Sequence, residues 1–227
     1  MVKTPLNRTI PSTIDGPADM SDRNEMIAAT LRHYDSVSET FWEGTRDHDV
    51  SQNYDALLRA INPEKTRKGL KILDLGCGPG RDLMWFRDAG HEPTGLDGAG
   101  NFVAQARARS GCPVWQQDFL NLALPPSTFD GVFANATLFH VPKSDILRVL
   151  GQLRDSLVPD GVLFASNPRG NDEESFTGGR FCTFYRDESW LALVESAGFD
   201  PIEHYWRPDG LPREQQPWLA SVWRRSR

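Results

Sequence analysis

The fold predicted by the sequence is an α/β architecture: a Rossmann-like, mostly parallel seven-stranded sheet with helices on both faces and an antiparallel edge strand. Three observations carry it. Short β-rich runs near 71–75, 92–96, 114–116, 129–134 and 161–166 alternate with helix-like runs near 82–89, 99–109 and 144–157. That alternation requires parallel pairing, because each right-handed crossover must pass over a face of the sheet. Second, the run Ile72-Leu73-Asp74-Leu75-Gly76-Cys77-Gly78-Pro79-Gly80-Arg81-Asp82 reads as a buried strand that breaks into a glycine loop and restarts as a helix. Third, a helix near 187–197 is followed by strand patterns at 199–206 and 218–224 with a Pro-rich excursion between them. A hairpin with a long connection there supplies the antiparallel strand.

The preceding segment has a different pattern. Residues 1–20 are rich in Thr, Pro and Asp without sustained periodicity and are expected to form a flexible arm. Over 22–34, Met26, Ile27, Leu31 and Tyr34 fall at helical spacing with Ser21 as cap. A second amphipathic helix starts at Asp49 or Ser51, runs through Tyr54, Leu57, Leu58 and Ile61, and ends before Pro63. The chain thus divides into an arm (1–20) and one domain (21–227), the latter comprising a helical cap (21–66) and the α/β core (67–227).

Composition sets limits on function. The 227 residues are 39% hydrophobic, enough for one substantial core. A formal net charge of -6 argues against a nucleic-acid partner. Cys77, Cys112 and Cys182 show no C-x-x-C spacing, so neither a disulfide framework nor a thiolate metal site is expected. No stretch has the length of a membrane span and no signal-peptide pattern opens the sequence. A cytoplasmic protein without a membrane partner is the expectation.

The glycine loop points to a nucleotide-like cofactor. Gly76, Gly78 and Gly80 permit close backbone approach, and the following helix offers free N–H groups. The dinucleotide pattern needs a small residue where Arg81 stands. The carboxylate of Asp74 before the glycines would repel a pyrophosphate but attract the ammonium of a methionine moiety. S-adenosyl-L-methionine, with S-adenosyl-L-homocysteine as product, fits better. Asp97, about 20 residues beyond the loop, suits the ribose hydroxyls, and Gln117, Asp118 and Phe119 suit the adenine. Tyr34, Trp42, Cys77, Arg81, Asp82, Gly98 and Asn135 complete the expected cofactor set.

Methyl transfer from a sulfonium is an in-line displacement, so the protein chiefly aligns the nucleophile and excludes water. The fourth strand leads into Asn135-Ala136-Thr137-Leu138-Phe139-His140, next to the transferable methyl group. Base-methylating enzymes often carry Pro-Pro after the Asn, which this chain lacks. Asn135 is expected to orient the acceptor and His140 to serve as base, with Glu43 and Asp47 nearby. Arg46-Asp47-His48-Asp49 lacks metal-ligand spacing, and no metal is expected. Polar and aromatic groups crowd 34–53, 166–185 and 207–218. From these Phe41, Arg46, Asn53, Asn167, Arg169, Arg180, Tyr185 and Arg213, with Phe139, form the expected substrate set.

On Asp74-Leu75-Gly76-Cys77-Gly78-Pro79-Gly80 and Asp97 the chain resembles class I S-adenosylmethionine-dependent methyltransferases. The segment from Phe41-Trp42-Glu43-Gly44 to Ser51-Gln52-Asn53, together with Val114-Trp115-Gln116-Gln117-Asp118-Phe119, Asn167-Pro168-Arg169-Gly170 and Gly210-Leu211-Pro212-Arg213, resembles the C-terminal methyltransferase domain of ovothiol synthases. The resemblance implies methylation of the π nitrogen of 5-thiohistidine, or of its selenium analogue. Ovothiol synthases place an iron-dependent sulfoxide synthase ahead of this domain, and no H-x-x-x-H-x-E motif occurs here. A standalone methyltransferase, associated in its pathway with a separate sulfoxide or selenoxide synthase, is therefore expected. A methyltransferase for another small nitrogen or sulfur nucleophile, and a non-catalytic S-adenosylmethionine-binding protein, remain the alternatives.

Overall fold

The computed structural model describes residues 20–64 and 66–227. Apart from Met20, the arm expected over 1–20 lies outside the described residues. Three helices, α1 (Met20–Ser36), α2 (Ser38–Thr45) and α3 (Ser51–Ile61), precede the alternating part. There β1 (Lys71–Leu75), α4 (Arg81–Asp88), β2 (Glu92–Asp97), α5 (Gly100–Ser110), β3 (Val114–Gln116), β4 (Phe129–Asn135), α6 (Ile146–Ser156) and β5 (Leu157–Pro168) follow in turn. A hairpin of β6 (Glu173–Thr177) and β7 (Arg180–Phe184) comes next, then α7 (Asp187–Ser196), β8 (Phe199–Arg207) and β9 (Trp218–Arg225).

The main sheet has seven strands in the order β3-β2-β1-β4-β5-β9-β8. β1 to β5 pair in parallel, while β9 runs antiparallel to both β5 and β8. The expected hairpin thus folds back so that its second strand sits against β5 and its first forms the edge. The strand order reverses between β1 and β4, the switch point at which such sheets bind ligands.

β1 and β4 are covered on both faces. Leu73, Leu75, Val132 and Ala134 face a core built with α6 and α7, where Leu150, Leu153, Trp190 and Val194 are fully or almost fully buried. Ile72 and Phe133 face the other core, with Tyr54, Leu57 and Phe86 from α3 and α4. Continuous apolar runs in central strands are the signature of burial on both faces. The helix α3 expected from its periodicity therefore serves as a sheet-covering helix, and Phe133 stacks on Phe164 at a centroid separation of 4.9 Å.

Two elements differ from the sequence expectation. The aromatic and charged segment 38–45 forms α2, and the polar segment after β5 forms the β6–β7 hairpin outside the main sheet. α1 is joined to that hairpin through Thr30, whose buried Oγ1 accepts the Phe181 N–H at 2.8 Å and donates to Met26 O at 2.9 Å.

Trp190 and Ser221 are both buried, and the indole Nε1–H donates to Ser221 Oγ at 3.0 Å. Ser221→Ala would leave that donor unpaired in the core, and a loss of about 1–3 kcal/mol is expected. Denaturant unfolding checks this, an unchanged midpoint being the contrary result.

Candidate active site

A cavity of about 590 Å³ opens where the carboxyl ends of the central strands meet the cap. Gly76 after β1, Asp97 at the end of β2, Asn135 at the end of β4 and Ser166 on β5 all line it. α1 and α2 contribute Tyr34, Phe41 and Trp42.

The glycine loop forms one wall. Gly76 has φ +69°, and a Cβ there would lie 2.0 Å from Thr137 Oγ1, so only glycine fits. The Gly76 and Cys77 N–H groups donate to Leu96 O at 2.7 and 3.0 Å, which ties the loop to β2. Asp97 Oδ2 accepts the Gly78 N–H at 2.9 Å and Oδ1 accepts the Ala99 N–H at 2.9 Å. Burial pushes the Asp97 carboxyl up to about 6, against the opposing pull of these backbone N–H groups. It is thus ionised at neutral pH, with oxygen lone pairs left for hydroxyl donors.

Asp82 accepts from Tyr54 Oη at 2.5 Å and pairs with Arg81 at 2.6 Å, while Arg81 also donates to Thr45 O at 3.0 Å. This network fixes the end of α2 to the start of α4. Asp74, expected on the cofactor, does not line the cavity. It is 1% exposed, and burial, reinforced by Asp82, raises its carboxyl far above the usual range. The acids that reach the cavity from this region are Asp82 and Asp97.

Gln117, Asp118 and Phe119 line the cavity beyond β3. The Gln117 carboxamide is clipped to Ala123, whose N–H it accepts at 2.8 Å, and Asp118 Oδ1 accepts the Leu120 and Asn121 N–H groups at 2.8 and 3.0 Å. Trp42 is held by the Arg109 guanidinium 4.4 Å from its ring centroid. Gly78, Gly98, Cys77 and Arg81 complete the wall, so all of the expected cofactor set except Asp74 comes together here.

The other half of the cavity holds Asn53, Asn135, Phe139, His140 and Arg180. Burial lowers His140 to about 4. Its Nδ1 lies 2.6 Å from Phe181 O and therefore carries the proton, which leaves Nε2 to accept the Tyr34 hydroxyl at 2.8 Å. The lone pair expected to act as base is thus already engaged, and His140 is a neutral group that positions Tyr34. The Arg180 guanidinium carbon lies 6.0 Å from the Tyr34 ring centroid. Arg180 has no carboxylate partner among the described residues, and its buried Nε has no hydrogen-bond partner.

Several expected residues lie elsewhere. Glu43 is exposed on α2, and Arg46 and Asp47 pair with each other in solvent at 3.3 Å, with exposures of 52% and 86%. Arg169 and Arg213 both bind Asp187, at 2.6 and 2.5 Å, which also accepts the Trp206 indole N–H at 3.0 Å. Arg169 binds the end of β5, and Arg213 the Pro-rich excursion, to α7, so both guanidinium groups are already paired. Asn167 and Tyr185 are buried outside the cavity. Conversely, Arg207, Thr137 and Trp218 line the cavity and were not singled out. Arg207 and Trp218 flank the Pro-rich excursion, which was the available signal, and Thr137 sits two residues after Asn135.

Residues 72–161 match the family described as a methyltransferase domain. Over this stretch, which runs from β1 into β5, the chain is similar to methyltransferase domains. Among curated proteins it is 24% identical to the sterol 24-C-methyltransferase erg-4 of Neurospora crassa, over 89% of this chain and 65% of that protein. It is 35% identical to a trans-aconitate 2-methyltransferase of Rhodopseudomonas palustris, over 56% of this chain and 49% of that protein. The chain thus spans less than two thirds of the length of these relatives. Among solved structures, the 1,6-didemethyltoxoflavin-N1-methyltransferase of Burkholderia thailandensis, with bound 1,6-didemethyltoxoflavin and S-adenosylhomocysteine, superposes with a TM-score of 0.74 at 20% identity. That likeness covers 95% of this chain and 94% of the other, and it shows a shared fold. None of these three names a thiohistidine substrate. No helix among the described residues is long and apolar enough to cross a membrane.

Burial raises the Asp187 carboxyl, but the hydrogen bonds from Arg169 and Trp206 and the two guanidinium charges outweigh this and hold it below its usual value. Its stabilising effect is then present above the unfolded carboxylate pKa and lost as pH falls through the folded one. Asp187→Asn is expected to be less stable than wild type at pH 7, with the difference closing below about pH 4. Paired thermal melts across pH check this, and a gap that persists at low pH is the contrary result.

Proposed function

We propose that this chain transfers the methyl group of S-adenosyl-L-methionine to the π ring nitrogen of 5-thiohistidine or its selenium analogue. The observation that carries the acceptor class is Arg180, a guanidinium without an acid partner among the described residues, lining the same cavity as Asn135 and the aromatic Tyr34, Phe139 and Trp218. An amino acid with a flat ring supplies the carboxylate for the first and the face for the others. The resemblance of 41–53 and 210–218 to ovothiol synthases supports the thiohistidine. The named activity of the toxoflavin enzyme, methylation at a ring nitrogen in a related fold, is consistent with a heterocyclic acceptor.

The residues fit the donor as well. The open side of Gly78 admits a ligand close to the backbone, and Asp97 offers acceptors for ribose hydroxyls. Asp118 and Phe119 suit the adenine edge and face. When bound, the sulfonium supplies an electrophilic methyl carbon: the ring nitrogen lone pair forms the new C–N bond while the C–S pair stays on sulfur, giving S-adenosyl-L-homocysteine. With a thiolate on the same ring the product is overall no more charged than a zwitterion, and no proton has to leave during the displacement. This agrees with a His140 whose lone pair is held by Tyr34.

The chain's own task is alignment. A thiolate is a stronger nucleophile than an imidazole nitrogen, so the ring must be held with nitrogen in line and sulfur out of line. Arg180 fixes the carboxylate end, the aromatic groups fix the ring plane, and Asn135 reaches the ring beside the donor. Installing the sulfur or selenium on histidine is a separate reaction and needs a separate carbon–sulfur or carbon–selenium bond-forming enzyme.

Incubation with S-adenosyl-L-methionine and 5-thiohistidine, followed by mass spectrometry and NMR, is expected to show methyl on the π nitrogen. A methyl on sulfur, or no transfer, overturns the reading. Asn135→Ala should lower kcat about 100-fold while the Kd for S-adenosyl-L-homocysteine changes less than about threefold; equal losses in both would contradict its role. Because Asp97 titrates near 6, that Kd is expected to rise about tenfold from pH 7 to pH 5 in wild type and to stay flat in Asp97→Asn. Isothermal titration checks it, and a pH-independent wild type is the contrary result.

A further inference from the structure

Asn135 does not face the cavity unaided. Its Oδ1 accepts Asn53 Nδ2–H at 2.9 Å, and Asn53 Oδ1 accepts the Tyr205 hydroxyl at 3.0 Å. Asn53 is 1% exposed, so this carboxamide cannot exchange partners with water. Tyr205 is half-buried on β8, the edge strand of the sheet, with its ring packed against the core that contains Tyr54 and Phe164. No role was assigned to Tyr205 from the sequence.

We propose that Tyr205 is a positioning residue that sets which end of the Asn135 carboxamide faces the methyl acceptor. An amide chain of this kind has two polarities. In one, Tyr205 donates to Asn53 Oδ1, Asn53 donates to Asn135 Oδ1, and the Asn135 NH2 is turned to the cavity. In the other, every bond reverses, Tyr205 donates to Gln52 O instead, and Asn135 presents its carbonyl oxygen. The structure has the first polarity, with the Tyr205 hydroxyl facing Asn53 Oδ1 at 3.0 Å and Asn53 Nδ2 facing Asn135 Oδ1 at 2.9 Å, while Gln52 O lies 3.3 Å from the hydroxyl as its alternative acceptor.

The consequence is chemical. An NH2 in the cavity donates, so it pairs with an atom that carries a lone pair and no hydrogen. On a thiohistidine ring that atom is the thiolate or selenolate, the competing nucleophile. A hydrogen bond from Asn135 occupies a chalcogen lone pair and lowers its reactivity, while the ring nitrogen remains free to attack. The hydroxyl of Tyr205 thus reaches the choice between nitrogen and sulfur through two buried amides. The chalcogen assignment rests on the acceptor proposed above; the polarity of the relay does not.

Tyr205→Phe removes one oxygen and keeps the packed ring. Two readouts are needed. With 5-thiohistidine, kcat is expected to fall at least tenfold at an unchanged Kd for S-adenosyl-L-homocysteine, and the S-methyl share of product to rise. In the S-adenosyl-L-homocysteine complex, without any acceptor, the 1H–15N side-chain resonances of Asn53 and Asn135 are expected to shift. Wild-type kcat and product ratio in Tyr205→Phe, or unmoved amide resonances, overturn the proposal. If wild type leaves 5-thiohistidine unmethylated while the resonances shift, the relay stands and the acceptor reading falls.

Discussion

Gly76 leaves no room for a side chain, and much of the site depends on that. Its missing Cβ lets the loop after β1 press against Thr137 in the loop after β4, while two backbone N–H groups anchor the same loop to Leu96 of β2. The three central strand ends are thereby locked at one distance from each other. The wall suited to a nucleoside and the wall carrying Asn135 become two sides of one rigid edge, so a ligand seated on the first is registered against the second. A residue with a Cβ at 76 would separate them and lose both walls at once.

Charge is arranged on the same plan. Asp74, Asp82 and Asp97 are gathered behind and beside the loop, and only Arg81 answers them directly. Burial, reinforced by Asp82, drives Asp74 toward its protonated form, while burial pushes the cavity-lining Asp97 up to about 6. Asp82 is bound by Arg81 and Tyr54.

The alternating core was legible because its signals are local. Apolar strand runs, amphipathic spacing in α1 and α3, and glycines at a strand end each report their own environment. The cavity wall next to those glycines followed from strand ends alone. The arginines were not legible. Arg46, Arg169, Arg180 and Arg213 are alike in sequence, and what separates them is whether a distant carboxylate arrives: Asp187 claims two, Asp47 lies beside one in solvent, and Arg180 has none among the described residues. The β6–β7 hairpin escaped for a related reason, since its strands are short, half-polar and pair only with each other. Asp74 lies within β1, 1% exposed and outside the cavity lining, a placement that its position before the glycines does not reveal.

Thr30 bridges α1 to β7 through a buried hydroxyl, and Tyr34 and Arg180 ride on those two elements. Neither element belongs to the main sheet. Selection can therefore reshape the acceptor wall by exchanging residues on a helix and a hairpin that pack as a pair, while the strands and the glycine loop stay untouched. Diversity of acceptors on one donor chassis is, in this architecture, a matter of swapping a lining held by one buried threonine and the cluster of Met26, Ile27 and Phe181.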